Sequence, residues 1–281
     1  MEKVILTSDS TCDLTEEILS EYGIKLCPIA ILLGTDVYHD TVNVNADNVL
    51  EYVKKTGNLP KTSATSVEEY KDFFRQFADE GYSVIHFCIS SKSSSCFEHA
   101  KEAATNFENV YVVDSYCLSS AQGMEIVRAA ELLKTGMGAR EVYDEITSTI
   151  DKIQLSFVVD TLDFLHKGGR CSSTALIMSK MLRIHPVIST KDGALCVKKK
   201  YMGNMKRSLA QYVTDLAKEY KNYDKTLCYV THSPSDKELV EYVISLVKEN
   251  FSFDKIVETF AGSTVTSHCG YNTIGVIFYN K

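Results

Sequence analysis

As far as Lys134, short β-branched runs and amphipathic helical stretches take turns, with hydroxyl-rich residues at the junctions. Val4–Thr7 is a compact apolar run, and Asp13-Leu-Thr-Glu16 has the spacing of a helix start, placing a helix near 14–22. The stretch 25–33 is rich in strand formers, and 45–55 carries Ala46, Val49, Leu50 and Val53 at helical spacing. Ser66 and Glu69 form a capping box ahead of Tyr70, Phe73, Phe74 and Phe77. A strand at 84–89, a helix at 94–106, a strand at 110–113 and a helix at 118–134 complete the series. Alternation at this pitch predicts a mainly parallel sheet flanked by helices, because parallel neighbours need a crossover and helices supply it.

The second half changes character. A helix is expected over 139–153, a strand over 155–159, and a short helix over 162–167 that stops at Gly168-Gly169. A helix over 174–184 follows. The runs 186–190 and 194–199 flank Lys191-Asp-Gly193, a hairpin with glycine in the tight turn. Helices over 205–220 and 237–249 enclose a strand at 226–231, and 256–260 and 273–279 look like closing strands. The expectation is an α/β chain of two domains. Residues 1–154 would form an N-terminal α/β domain whose mainly parallel sheet is flanked by helices. Residues 155–281 would form a C-terminal α+β domain with partly antiparallel strands. At 281 residues, two cores are the natural division.

The net charge of −7 disfavours a general nucleic-acid binder or a long-range pull toward anionic lipid. Nine widely spaced cysteines with no C-x-x-C give no disulfide framework or zinc ribbon. Cys88 and Cys228 sit in apolar runs as small hydrophobes, which suits a reducing, cytoplasmic setting. The opening residues carry no signal-peptide apolar region, and no run is long and apolar enough to predict a membrane-spanning helix.

Four hydroxyl-rich segments follow strands and precede helices: Thr7–Thr11, Thr62–Ser66, Ser90–Ser95 and Asp114-Ser115. In a parallel sheet such loops gather at the carboxyl edge, where helix N-termini offer free N–H groups to an anion. Taken singly, each also reads as ordinary helix capping. His166-Lys-Gly-Gly-Arg170 turns the chain sharply and fixes a guanidinium suited to a carboxylate or phosphate. Gly262 to Gly270 reads as a glycine-bounded loop holding His268. No nucleophile elbow, phosphate-binding P-loop, zinc-binding H-E-x-x-H or dinucleotide fingerprint occurs. Three readings stand on these residues: a binding protein, a small-molecule phosphotransferase or hydrolase using His268 with a nearby serine, and a purely regulatory interaction protein.

Taken in order, the strings resemble the DegV family. Ser8-Asp-Ser-Thr-Cys-Asp-Leu14 is similar to its S-D-S-x-x-D-L, Lys61-Thr-Ser-Ala-Thr-Ser66 to its T-S-Q-P-S, and Ile89 to Ala100 to I-S-S-x-L-S-G-T-Y-Q-S-A. Asp160 to Arg170 resembles D-T-L-x-Y-L-x-K-G-G-R, Arg183 to Ile188 with Asp192-Gly193 resembles I-K-P-I…D-G, and His268-Cys-Gly270 resembles H-x-G-P-G. The resemblance implies a non-catalytic protein with no cofactor. It would bind a long-chain fatty acid in a buried tunnel between its domains and present the carboxylate to a separate ATP-binding fatty acid kinase subunit, which makes the acyl phosphate. Carried over by motif, Thr62 and Ser94 donate hydroxyls to the carboxylate, Ser63 supports them, and Arg170 and His268 lie near the head group and the partner-facing side. The chain departs from the pattern at Ser95-Cys96 (family G-T), at Ala64-Thr65 (family Q-P) and at Tyr271-Asn272 (family P-G).

Overall fold

The structure is a computed structural model that describes residues 2–171 and 184–281. The expected helix over 174–184 falls on 174–183, outside the described residues, and Ile184 already opens a strand. The chain forms two compact units. The first comprises Met1–Val44, Thr62–Asp151 and Asp192–Ala194, and the second Asn45–Lys61, Lys152–Lys191 and Leu195–Lys281.

In the first unit, strands β1 (Val4–Asp9), β2 (Lys25–Cys27), β3 (Ala30–Leu33), β4 (Asp36–His39), β5 (Lys61–Ser63), β6 (Ser83–Cys88) and β7 (Val110–Asp114) build two sheets. The larger has the order β2-β1-β6-β7 and is parallel throughout, with Thr7 opposite Lys25 on one side and His86 on the other. The smaller has the order β4-β3-β5. The helices are α1 (Glu16–Tyr22), α3 (Val67–Ala78), α4 (Cys96–Ala104), α5 (Ser120–Lys134) and α6 (Ala139–Ser148), while α2 (Ala46–Thr56) belongs to the second unit.

Strand β6 shows how the period of two sorts side chains between layers. Ile85 and Phe87 enter one core with Ile126 of α5 and Val142 and Ile146 of α6. Val84 and Cys88 enter another with Tyr70 and Phe74 of α3 and Cys96 and Ala100 of α4. Both faces are covered, so β6 is buried along its whole length. The capping box at α3 forms as its sequence requires: Ser66 Oγ accepts from Glu69 N, and Glu69 Oε2 accepts from Ser66 N at 2.8 Å. The start of α1 differs from the expectation. Thr15 caps the helix through Ile18 N, while Asp13 adopts a left-handed conformation (φ 50°) and accepts from the Ser119 hydroxyl.

The second unit contains β8 (Ile153–Val158), α7 (Asp163–Lys167), β9 (Ile184–Lys191), β10 (Ala194–Met202), α8 (Met205–Glu219), β11 (Tyr223–His232), α9 (Lys237–Asn250), β12 (Lys255–Phe260), α10 (Ser263–Cys269) and β13 (Ile274–Asn280). The sheet runs β10-β9-β8-β13-β11-β12. Strand β13 is antiparallel to both neighbours, whereas β11 and β12 are parallel. Ile274, Val276 and Phe278 are fully buried on β13 and pack with Leu209, Tyr212 and Val243 of α8 and α9. The expected fold class holds: α/β, a parallel sheet flanked by helices, then a mixed sheet with partly antiparallel pairing. The hairpin turn has positive φ at both Asp192 (50°) and Gly193 (78°), the backbone of a two-residue turn that matches strand twist.

Residues 263–269, expected as loop, are helix α10. Serine, threonine and valine are weak helix formers, so the local signal is poor. Burial supplies what propensity lacks: six of its seven residues are buried, and it packs against α2. Ser267 Oγ and Thr266 Oγ1 donate back to the carbonyls of Ser263 and Ala261, which satisfies hydroxyls that burial would otherwise penalise. Among the described residues, no helix is long and apolar enough to cross a membrane.

Candidate functional site

Most of the hydroxyls at the carboxyl edge of the first sheet are closed on the protein itself. Ser8 Oγ donates to the Phe87 carbonyl at 3.0 Å, and Gln122 Nε2 bridges the same two groups from α5. Thr11 donates to Gln122 Oε1, Ser10 to Asp40, Ser90 to the Gly193 carbonyl and Ser115 to the Cys117 carbonyl. These segments therefore fasten the strand ends. Of the four read from sequence as possible anion donors, two contribute the residues of interest, Thr62–Ser66 and the end of Ser90–Ser95.

Beneath them, on the face toward α3, lies a buried polar knot. Asp9 Oδ1 accepts from the Tyr70 hydroxyl and faces His86 Nε2 at 3.4 Å, and Oδ2 accepts from Ile89 N at 3.1 Å. His86 Nδ1 meets Thr7 Oγ1 at 2.9 Å. Asp9, Tyr70 and His86 are 0 % exposed. Cys88 Sγ joins Asp9 and His86, the three ligating atoms lying within 4.8 Å of one another, a grouping with the donor types of a metal site. Each carboxyl oxygen already receives an N–H or O–H donor, however, and burial pushes the Cys88 thiol well above its ordinary pKa. The knot is thus saturated by hydrogen bonds and braces β1 against β6 and α3.

Thr62 lies half-buried and Ser63 exposed on β5, and Ser94 is half-buried just before α4. Two bonds tie their segments together. His99 Nδ1, on the first turn of α4, donates to the Thr65 carbonyl at 2.7 Å. The Cys96 sulfur receives both the Ser94 hydroxyl, at 3.1 Å, and the Thr65 backbone N–H. Cys96 N in turn donates to Ser94 Oγ at 3.3 Å, so Ser94 takes the first N–H of α4, although the N-cap position itself is Ser95, whose side chain makes no cap bond. Burial drives the Cys96 thiol pKa up to about 12, which keeps it protonated and a weak hydrogen-bonding partner. The arrangement leaves a hydroxyl at the positive end of α4, held by a bond that a carboxylate would readily outcompete.

In the second unit the structure brings Arg170 and His268 together. The chain leaves α7 through Gly168 and Gly169 (φ 74°), and Arg170 Nη1 donates to the Gly168 carbonyl at 2.6 Å. A Cβ on Gly168 would fall 2.6 Å from His268 Nδ1, so glycine is what permits α10 to approach α7. Burial, reinforced by the Arg170 charge, lowers the His268 pKa to about 4. The imidazole is therefore neutral at pH 7 in the folded chain.

That displacement makes an acid-stability prediction. Above about pH 6.5 the ring is neutral in both folded and unfolded chains. Between 6.5 and 4 the unfolded chain takes up a proton that the folded chain refuses, so stability falls with falling pH until about 4. Going from pH 7 to 4.5 costs on the order of 2–3 kcal/mol through this group. His268→Gln is expected to remove that part of the slope, measured by urea unfolding of both proteins at the two pH values. Parallel losses in wild type and variant would contradict it.

Sequence reasoning missed the Asp9 knot, the role of Cys96 as a junction, and the Asp13–Ser119 contact. All three are made by residues far apart in the chain.

Comparison with known proteins places the chain among relatives of the same length. The model of a family described as uncharacterised protein, DegV family, matches residues 3–281. A DegV domain-containing protein of Clostridium acetobutylicum is 30 % identical over 283 residues, covering 100 % of both chains. Among solved structures, a fatty-acid-binding DegV family protein from Thermus thermophilus is 25 % identical with a TM-score of 0.87, covering 99 % of this chain and 100 % of its own. A stearic acid-binding protein from Eubacterium ventriosum is 26 % identical with a TM-score of 0.85, covering 100 % and 99 %. The motifs from Ser8 to His268 and the full-length match agree, and the chain belongs to the DegV family.

Proposed function

We propose that this protein binds a long-chain fatty acid in a buried tunnel, with the carboxylate held by the hydroxyls of Thr62 and Ser94 and supported by Ser63. It presents that carboxylate to a separate ATP-binding kinase subunit for acyl phosphate formation and is not a catalyst by itself. Arg170, with His268 beside it, takes the head-group and partner-facing role. The observation that carries the reading is the junction of the Thr62–Ser66 segment with Ser94 at the N-terminus of α4. The fatty acids bound by relatives of the same fold support the ligand class.

The energetics are consistent with such a ligand. A chain of about 16 carbons gains on the order of 12 kcal/mol gross on burial at ~0.8 kcal/mol per methylene, reduced substantially by ordering of the chain. The carboxylate needs charge-assisted donors to remain ionised out of water.

Protein purified from a bacterial host is expected to release a fatty acid on denaturation, detected by mass spectrometry, and delipidated protein to take up oleate. Thr62→Val and Ser94→Ala should each weaken oleate binding by roughly 10–100-fold, the loss of one hydrogen bond to a charged group. Incubated alone with ATP or an acyl ester, the protein should turn over neither. Delipidated wild type that takes up no oleate would refute the binding role, and hydrolysis by the protein alone would refute the non-catalytic one.

A further inference from the structure

We infer that Cys96 is the positioning residue of the carboxylate site: its thiol holds the Ser94 hydroxyl in place and joins it to the Thr62–Ser66 segment. The inference rests on the reading of Ser94 as a carboxylate donor and extends it to a residue that touches no ligand.

Both hydrogen bonds of Ser94 Oγ run to Cys96, one donated to Sγ at 3.1 Å and one accepted from the backbone N–H at 3.3 Å. The same sulfur takes the Thr65 backbone N–H. That atom, together with the His99–Thr65 carbonyl bond at 2.7 Å, sets the spacing between two segments that the sequence separates by about thirty residues. Cys96 is itself 0 % exposed, packed in the core with Cys27, Tyr70, Phe74 and Cys88, so its own position is fixed by the layer beneath. The chemistry of sulfur matters as much as its place. A thiol is a poor acceptor, so the Ser94 hydroxyl can turn its proton to a carboxylate oxygen at little cost; burial keeps Cys96 protonated, and its S–H can then donate to Ser94 Oγ, so the contact that holds the oxygen in place persists in the bound state. Fixing a donor without satisfying it strongly is what preorganisation of a binding site requires.

The test separates sulfur as acceptor from sulfur as filler. Delipidated wild type, Cys96→Ser, Cys96→Val and Cys96→Ala are titrated with oleate. Serine keeps an acceptor at the position, so Cys96→Ser is expected to bind within about threefold of wild type. Valine fills the space and alanine empties it, and neither can accept from Ser94 Oγ or donate to it, so both should lose about five- to tenfold, the net worth of about one bond. In a Ser94→Ala background the Cys96→Val change should have no further effect, because there is no hydroxyl left to position. Should Cys96→Val fail to fold, as judged by circular dichroism, Cys96→Ala carries the comparison. Valine and alanine variants that bind like wild type, a folded serine variant that binds as poorly as alanine, or additive losses with Ser94→Ala would each overturn the positioning role and leave fatty-acid binding intact. Wild type that binds no oleate removes the binding reading itself, and this inference with it.

Discussion

Replacing Asp9 with alanine is expected to destabilise the folded protein by about 4 kcal/mol, a large fraction of the 5–15 kcal/mol that keeps an ordinary domain folded. The carboxyl group is fully buried and serves three neighbours: the Tyr70 hydroxyl, the Ile89 backbone N–H and His86 Nε2. Alanine leaves the first two as donors with no acceptor at that point, beside a His86 ring that packs on Phe73 and Phe74. Each orphaned buried donor costs about 1–3 kcal/mol, and the emptied volume adds to it. Asp9→Asn retains one carbonyl oxygen but turns an amide toward one of the donors, so it should recover only part of the loss. Tyr70→Phe removes a single donor while the acceptor keeps others, and should cost about 1–2 kcal/mol. Urea unfolding at pH 7 measures all three. An Asp9→Ala protein within about 1 kcal/mol of wild type would show that the knot is not a brace.

Gly270→Ala is expected to cost about 3 kcal/mol or more, because two independent penalties coincide. The residue closes α10 with φ 76° and ψ −165°, a region of backbone space held almost solely by glycine. An added Cβ would also fall 2.7 and 2.8 Å from two ring carbons of Phe164 on α7. The ring must swing away, and with it loosens the face of α7 that leads to Gly168 and Arg170. Gly270→Ala should therefore lower the denaturation midpoint and also raise the His268 pKa from about 4 toward its ordinary value, since a displaced α10 readmits water to the imidazole. The second readout, by histidine NMR titration, distinguishes local displacement from general destabilisation. An unchanged midpoint would mean that the turn relaxes without strain.

What the sequence could reveal follows from how far apart the interacting residues are. The capping box of α3 was legible because Ser66 and Glu69 are three residues apart and their chemistry is self-contained. The alternating first half was legible because the strand and helix periods are local. Helix α10 was not, since its Ser-Thr-Val-Thr-Ser run favours extended chain and only burial against α2 makes it helical. Asp13 carries the spacing of a capping residue, yet the hydroxyl of Ser119 captures it, and no local rule weighs a partner so distant. At the candidate site, Thr62 and Ser94 stood out through their motifs. That one sulfur joins their segments, and that the opening Ser-Asp-Ser string fastens strand ends instead of facing a ligand, depends on which strands become neighbours.

The path of the chain has a consequence for how the molecule is made. Residues 45–61 leave the first compact unit after Val44 and return to it at Thr62, and in between they form a helix of the second unit. During synthesis, helix α2 emerges from the ribosome well before α10, its packing partner much later in the sequence. The parallel sheet of the first unit can close early around β1 and β6, but this excursion must wait, amphipathic and uncovered, until α10 has been made. A newly made chain stalled before Ser263 would thus display a sticky helix, a natural handle for a chaperone and a reason for the two units to reach maturity together.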